Sequence, residues 1–221
     1  MNFNIITLFP ESIKSYFDSS MLKRAQKAGL LNINLINPRD FATDARKTVD
    51  ASPFGGGPGM VLKVDVIART VLSVLNEKTI RTTRPIRTKI ILLSPAGKQF
   101  TQKMARDWAK KYKNIVLISG HYEGIDERVV KIFKAKKISV GPYVLTGGEL
   151  PAAIIVDAVA RHVEGVLGKQ ESLEDERGIG IPVYTRPEVF EYKNKKHKVP
   201  AVLMSGHHKN IEEWRQKQIK K

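Results

Sequence analysis

Gly120-His121-Tyr122-Glu123-Gly124-Ile125-Asp126-Glu127-Arg128, and after it Val140-Gly141-Pro142-Tyr143-Val144-Leu145-Thr146-Gly147-Gly148-Glu149-Leu150-Pro151, form the stretch that decides the fold. Each piece follows an apolar, β-branched run, Asn114–Ser119 in the first case and Lys137–Val140 in the second. Such runs read as buried strands. Each piece then offers glycines and polar groups ahead of a helix-like segment. Two strand-end loops of this kind lie side by side in a parallel sheet and form one pocket of backbone N–H and C=O groups.

Outward from that stretch, strand and helix patterns alternate. Asn2–Leu8 reads as a strand, Glu11–Ala28 as a helix stopped by Gly29, and Leu31–Ile36 as a second strand. Val64–Asn76 is helical. Lys89–Leu93 is a strand ending in Ser94-Pro95-Ala96-Gly97, with a helix over Gln99–Lys111. Asp126–Phe133 predicts a short helix with Asp126 as its N-cap, Ala135–Val140 a strand, and Pro151–Ala160 a helix. The alternation predicts an α/β fold with a largely parallel sheet. The loops starting at Ser94, Gly120 and Gly141 then share the carboxyl-end rim, where ligands bind.

Between Asn37 and Lys63 lies a long connection centred on Phe54-Gly55-Gly56-Gly57-Pro58-Gly59-Met60. It lacks the Gly-Lys-Ser/Thr ending of a phosphate loop. Two readings stay open: a flexible surface loop, or a loop that folds over a ligand or an RNA backbone. No Gly-x-Gly-x-x-Gly follows the first strand, which disfavours a standard dinucleotide fold.

The formal net charge is +16 over 221 residues, with 42% hydrophobic residues. That hydrophobic content supports a real core, and the charge attracts polyanions. A solvated lysine-rich surface is the plainer account of the charge. With no cysteine, disulfides, thiolate nucleophiles and Cys-based metal sites are excluded. The five histidines are scattered, so a metal site is disfavoured. No run of about 18 apolar residues is present, and the N-terminus lacks a signal-peptide pattern. The expectation is a cytoplasmic protein with no membrane contact.

After Arg161 the composition changes. Gly165–Pro182 is polar and acidic, and from Val183 on 10 Lys/Arg stand against 4 Asp/Glu, with a helix expected over Ile211–Ile219. The chain is therefore divided into 1–163, a linker 164–182 and a short basic, α-helical C-terminal extension 183–221. Arg161 stands near the acidic Glu174-Asp175-Glu176 in sequence. The pair reads either as structural glue or as an acid–base pair.

Several of these pieces, taken together, resemble the bacterial tRNA (guanine-N1)-methyltransferase family. They are Leu8-Phe9-Pro10, Pro38-Arg39-Asp40-Phe41, Phe54–Met60, Leu93-Ser94-Pro95, Tyr122–Arg128 and Tyr143–Pro151. Gly165-Val166-Leu167-Gly168, Tyr184–Pro187 and Ser205-Gly206-His207 complete the series in the family's order. The resemblance implies methylation of the guanine 3′ of the anticodon, position 37, with S-adenosylmethionine as methyl donor. It implies a SPOUT-type fold with a deep trefoil knot, and a homodimer whose active site uses both subunits. The tRNA anticodon stem-loop is the implied partner.

Carried over by position, the donor pocket uses Leu93, Ser94, Pro95, Gly120, Tyr122 and Glu123 from the first loops. From the second loop it uses Val140, Gly141, Pro142, Tyr143, Val144, Leu145, Gly147 and Gly148. Arg161 matches the catalytic arginine, and Glu176 or Asp175 the general base, with Glu176 favoured. His121 stands where the family often has Arg, and Pro142 where an acid is common. The C-terminal tRNA-binding region is expected to be truncated. The resemblance also suggests a Mg2+ requirement, for which the sequence shows no ligand cluster. The rival expectations are a related knotted enzyme with another RNA target and a non-catalytic RNA-binding homologue.

Overall fold

Five short apolar runs settle the architecture by pairing edge to edge. The structure, a computed structural model, describes residues 1–79, 87–167 and 181–218. Strands β1 (Asn2–Ile6), β2 (Asn32–Ile36), β5 (Thr88–Gln99), β6 (Asn114–Ile118) and β7 (Lys136–Ser139) form one sheet in the order β2-β1-β6-β5-β7. Every neighbouring pair is parallel. The chain is thus an α/β protein with a parallel central sheet, as its pattern predicts.

A parallel sheet must be covered on both faces, and the strands supply two apolar sides. Phe3, Ile5, Ile91, Leu93, Ile115 and Leu117 point into one core. Ile6, Leu92, Val116 and Ile118, offset by one residue, point into the other. The first core is closed by α1 (Glu11–Phe17), α2 (Ser20–Lys27), α4 (Gln102–Lys111) and α6 (Glu149–Ala160). The second is closed by α3 (Val64–Thr79) and α5 (Arg128–Phe133).

At the amino end of the sheet an amide ladder crosses four strands. Asn34 donates to Asn4 at 2.9 Å, Asn4 to Asn114 at 2.7 Å, and Asn114 to Thr88 at 3.2 Å. Each buried amide is thereby satisfied, which pins the strand register.

Three expectations need correction. The single helix over Glu11–Ala28 is two helices, because Ser19 is extended (φ −120°, ψ 159°) and its hydroxyl donates to the Tyr16 carbonyl. Serine side chains compete in this way for backbone groups inside helices. The strand at Lys89–Leu93 does not end at Ser94. It runs to Gln99 through a bulge in which both Leu93 and Lys98 pair with Ile138. Proline is tolerated in a sheet at such bulges, so Ser94 and Pro95 leave the ladder. The long connection is also not bare: Pro38–Phe41 forms a 3-10 turn, and β3 (Asp50–Ala51) pairs antiparallel with β4 (Val61–Leu62).

The chain forms two compact units, Met1–Gly168 and Lys169–Lys221. Val166 is buried in the core closed by α6, so the first residues assigned to the linker pack as part of the first unit. In the second unit the structure adds to the expected helix. A hairpin of β8 (Val189–Tyr192) and β9 (Lys195–Lys198) precedes α7 (Ala201–Met204) and α8 (His208–Gln218). Tyr184 meets Trp214 edge-on at 6.2 Å between ring centroids. Among the described residues, no helix is long and apolar enough to cross a membrane.

Candidate active site

The carboxyl ends of β6, β5 and β7 bring three loops together around a cleft of about 410 Å³. The loop after β6 and the loop after β7 are stitched to each other. Gly148 N–H donates to the Gly120 carbonyl at 2.9 Å, and the Ser119 hydroxyl donates to the Gly148 carbonyl at 3.1 Å. His121 and Gly147 form an isolated antiparallel bridge. Glycine is required at this seam. A Cβ on Gly148 would lie 2.7 Å from the Ser119 Cα and 3.0 Å from the Gly120 N. Neither backbone atom can yield alone.

A Gly148→Ala variant is therefore expected to part the two loops. Overpacking of this kind costs ~1–3 kcal/mol, so donor affinity should fall about 10- to 100-fold. Titration calorimetry with the donor checks this; unchanged affinity would mean that the seam does not shape the cleft.

Of the pocket residues expected from sequence, Leu93, Ser94, Pro95, Gly120, Tyr122, Glu123, Val140, Gly141, Tyr143, Val144, Leu145, Gly147 and Gly148 line this cleft. Pro142 does not line it and is exposed. Gly141 lies under the Tyr143 ring, whose Cε1 would be 2.2 Å from an added Cβ. Tyr122 holds a left-handed backbone, φ +56°. That is uncommon for a residue with a bulky side chain and marks a position fixed by its surroundings.

Sequence reasoning passed over His121, Glu127, Lys137 and Thr146, which also line the cleft. It also passed over the role of Glu149. That carboxylate is buried and accepts from the Thr7 hydroxyl at 2.7 Å. Its other oxygen is 3.9 Å from His121 Nδ1, which is buried with no hydrogen-bond partner among the described residues. The His121 ring packs between Phe9 and Tyr122, at 4.8 and 4.9 Å. A lone acid within an apolar, glycine-rich run was the available signal.

Beside the cleft, Asp126 accepts from the Arg128 N–H and Nε–H, each at 2.9 Å. The cap position itself is held by Glu127, whose side chain makes no cap bond; it pairs instead with Lys137 at 2.6 Å. The Arg128 hydrogen bond holds the Asp126 carboxyl below the usual aspartate range. The unfolded chain then takes up this proton first as pH falls. The stabilisation is whole above pH ~4, the unfolded aspartate value, and disappears as pH drops through the lower folded value. Asp126→Asn is expected to lower the melting temperature at pH 7 and to lower it less at a pH well below the unfolded aspartate value of about 4, as followed by circular dichroism. Equal losses at both pH values would assign the effect to packing.

The glycine-rich connection is anchored to the same rim. Glu123 N–H donates to the Met60 carbonyl at 3.0 Å, Leu62 N–H to Gly124, and Asp126 N–H to Leu62. Gly59, at φ +78°, lies against the Glu123 side chain, and Phe54 at the tip is fully exposed. The connection is thus fastened to the rim through Met60 and Leu62, while Phe54–Met60 is not among the residues that line the cleft.

Arg161 is elsewhere. It is the residue that ends α6, while Gly148 precedes the same helix. At 1.5 Å per residue the helix holds them about 20 Å apart. Arg161 lines a second, largely apolar groove of about 470 Å³ with Ile13, Tyr16, Leu150, Ile154 and Asp157. Burial, then the charge and hydrogen bond of Asp157, push the Tyr16 phenol up. Helix α6 is apolar apart from Glu149 and Asp157, yet Leu150 and Ile154 remain 60% and 45% exposed. Glu176 and Asp175 lie outside the described residues.

All 221 residues match the sequence profile of the family described as tRNA (Guanine-1)-methyltransferase TrmD. Three relatives are each named tRNA (guanine-N(1)-)-methyltransferase. That of Clostridioides difficile is 44% identical over 99% of this chain and 92% of its own length. That of Dictyoglomus turgidum is 47% identical over 100% and 86%. That of Pelotomaculum thermopropionicum is 47% identical over 99% and 84%. With the profile spanning the chain end to end, the protein belongs to the tRNA (guanine-N1)-methyltransferase family.

Proposed function

We propose that this protein transfers a methyl group from S-adenosylmethionine to N1 of guanine 37 in tRNA, as a SPOUT-type, trefoil-knotted homodimer with shared active sites. The observation that carries the reading is the cleft walled by backbone at the ends of β5, β6 and β7. Its volume is within the range of small-molecule pockets. Its walls mix exposed peptide groups with the Tyr122, Tyr143, Val144 and Leu145 side chains, a lining suited to an adenosine-bearing donor. When bound, the donor supplies an electrophilic methyl carbon.

The chain's own residues do the rest. Guanine N1 carries a proton and is a poor nucleophile at neutral pH. A carboxylate within hydrogen-bond reach removes that proton as the methyl group moves; Glu176, or else Asp175, takes this role. Charge then gathers on guanine O6, and the Arg161 guanidinium, always cationic, stabilises it. The cleft aligns N1 with the methyl carbon. The target base leaves its stack to enter.

In this reading residues 1–163 carry catalysis, 164–182 link, and 183–221 grip tRNA in the cytoplasm. Mg2+ belongs to it as an ion borne by the RNA. Mg2+ keeps its waters and favours phosphates, and no three His, Asp or Glu side chains gather among the described residues.

The distance between Arg161 and the cleft supports the homodimer. A second copy laid on α6 covers Leu150 and Ile154 and offers its own Arg161 across the interface. A helix as apolar as α6 is usually buried. Ile154→Asp should shift the protein toward monomer in light scattering, with methylation falling in step with the dimer fraction. A fully active monomer would end the shared-site reading.

The reaction itself is tested by incubating protein and labelled donor with tRNA transcripts carrying G or A at position 37. Label in 1-methylguanosine from the G transcript alone is the expected result. Label in a ribose or another base, or RNA binding without label, would replace this reading.

A further inference from the structure

We propose that the β8–β9 ribbon is a stacking platform for unpaired nucleotides of an RNA loop, with Phe190 and Tyr192 as its two ring contacts. This rests on the RNA-substrate reading above and extends it from phosphate grip to base contact. The hairpin turns through Lys193 and Asn194, at φ +49° and +61°. Two successive left-handed residues match the turn to the strands' twist. The register pairs Phe190 with His197 and Tyr192 with Lys195. Residues directly opposite share a face, so Phe190, His197, Tyr192 and Lys195 lie together on one side.

That side is uncovered. All residues from Val189 to Lys198 are exposed, Phe190 by 57% and Tyr192 by 56%. A two-stranded ribbon with bare rings is marginal alone, which points to a ligand as its cover. The surrounding charge selects that ligand. Arg186, Lys193, Lys195, Lys196 and Lys198 stand against Glu188 and Glu191 in this segment. The Lys193 ammonium lies 5.5 Å from the Tyr192 ring centre. Rings between lysines form the stacking-and-phosphate pattern of single-strand binders.

Spacing refines the choice. Rings two residues apart on a strand stand about 6.7 Å from each other. Stacked bases in a helix rise about 3.4 Å. The ring pair therefore fits splayed, unpaired bases and not a continuous stack.

The test uses the full-length protein and fluorescence anisotropy with two RNAs, a stem-loop and a blunt duplex of the same stem. Phe190→Ala with Tyr192→Ala should weaken stem-loop binding about tenfold or more. It should leave duplex binding and the slope of log K against log salt unchanged. Phe190→Trp with Tyr192→Phe, which keeps both rings, should retain affinity. Lys195→Ala with Lys196→Ala should instead flatten the slope by about 0.7 for each single-strand phosphate that is no longer neutralised. The proposal is overturned by stem-loop affinity equal to the parent's or by equal losses on both RNAs. A weakening in the ring-keeping variant as large as in the alanine variant would overturn it too. A changed oligomeric state with RNA affinity intact would make the ribbon a protein-binding surface and also overturn it. Donor binding, measured separately by calorimetry, judges the methyltransferase reading and leaves this outcome independent.

Discussion

Arg161→Ala is expected to bind S-adenosylmethionine as tightly as the parent protein while transferring the methyl group about 10²- to 10³-fold more slowly, the usual loss for one preorganised donor to a developing oxyanion. The split follows from position. Arg161 is a helix length from its own chain's cleft and shares no wall with it. Its removal therefore leaves the donor's surroundings in place. What disappears is a fixed cation beside O6 when N1 gives up its proton. Arg161→Lys should recover only part of the rate, because a point charge cannot reproduce the planar fork of donors. Calorimetry and single-turnover methylation, run on the same preparation, separate the two effects. Loss of donor binding would move Arg161 into the donor pocket and refute its role at the base.

Removing the general base should cost at least as much. Glu176→Gln is expected to slow single-turnover methylation by about 10²- to 10⁴-fold near neutral pH. The rate should recover as pH rises and guanine N1 loses its own proton to solvent. Asp175→Asn, made singly, should be nearly silent if Glu176 is the base and should carry the loss if it is not. A slowing below about tenfold in both variants is too little for a general base. It would mean that the proton leaves by another route.

The centre of the fold was legible because it is buried on both faces. Ile115–Ile118 is apolar without alternation, as expected of a central parallel strand. The glycines after it were legible because Gly148 has no room for a Cβ. Elements held by less burial were harder to read. In the hairpin at Val189–Lys198 only Phe190-Glu191-Tyr192 alternates, too short a pattern to announce a strand, and every residue is exposed. Its turn uses Lys193-Asn194 where a glycine would have announced it. The strand β5 was cut short at Pro95 because a proline reads as a stop, and the bulge that accommodates it depends on Ile138 across the sheet.

In the site, the loop residues were readable from local glycine spacing, whereas the His121–Glu149 neighbourhood was not. Those residues are 28 positions apart and meet where the His121–Gly147 bridge joins the two loops, with Thr7 and Phe9, just after β1, bonding Glu149 and packing on His121. Arg161 is the sharper case. Sequence places it near an acidic segment, and one chain's structure places it far from the donor cleft. In the proposed shared site a partner's geometry reunites it with the chemistry, and a symmetric interface leaves no trace in the spacing of one chain.

Subunit mixing tests that shared site most directly. Arg161→Ala and Gly148→Ala proteins, each weakly active alone at donor concentrations near the parent's Kd, are unfolded together, refolded and assayed. If the donor cleft of one subunit works with the arginine of the other, half of the dimers become hybrids with one sound site in two, and activity rises to about a quarter of the parent's. Activity no greater than the mean of the two separate variants would contradict the account.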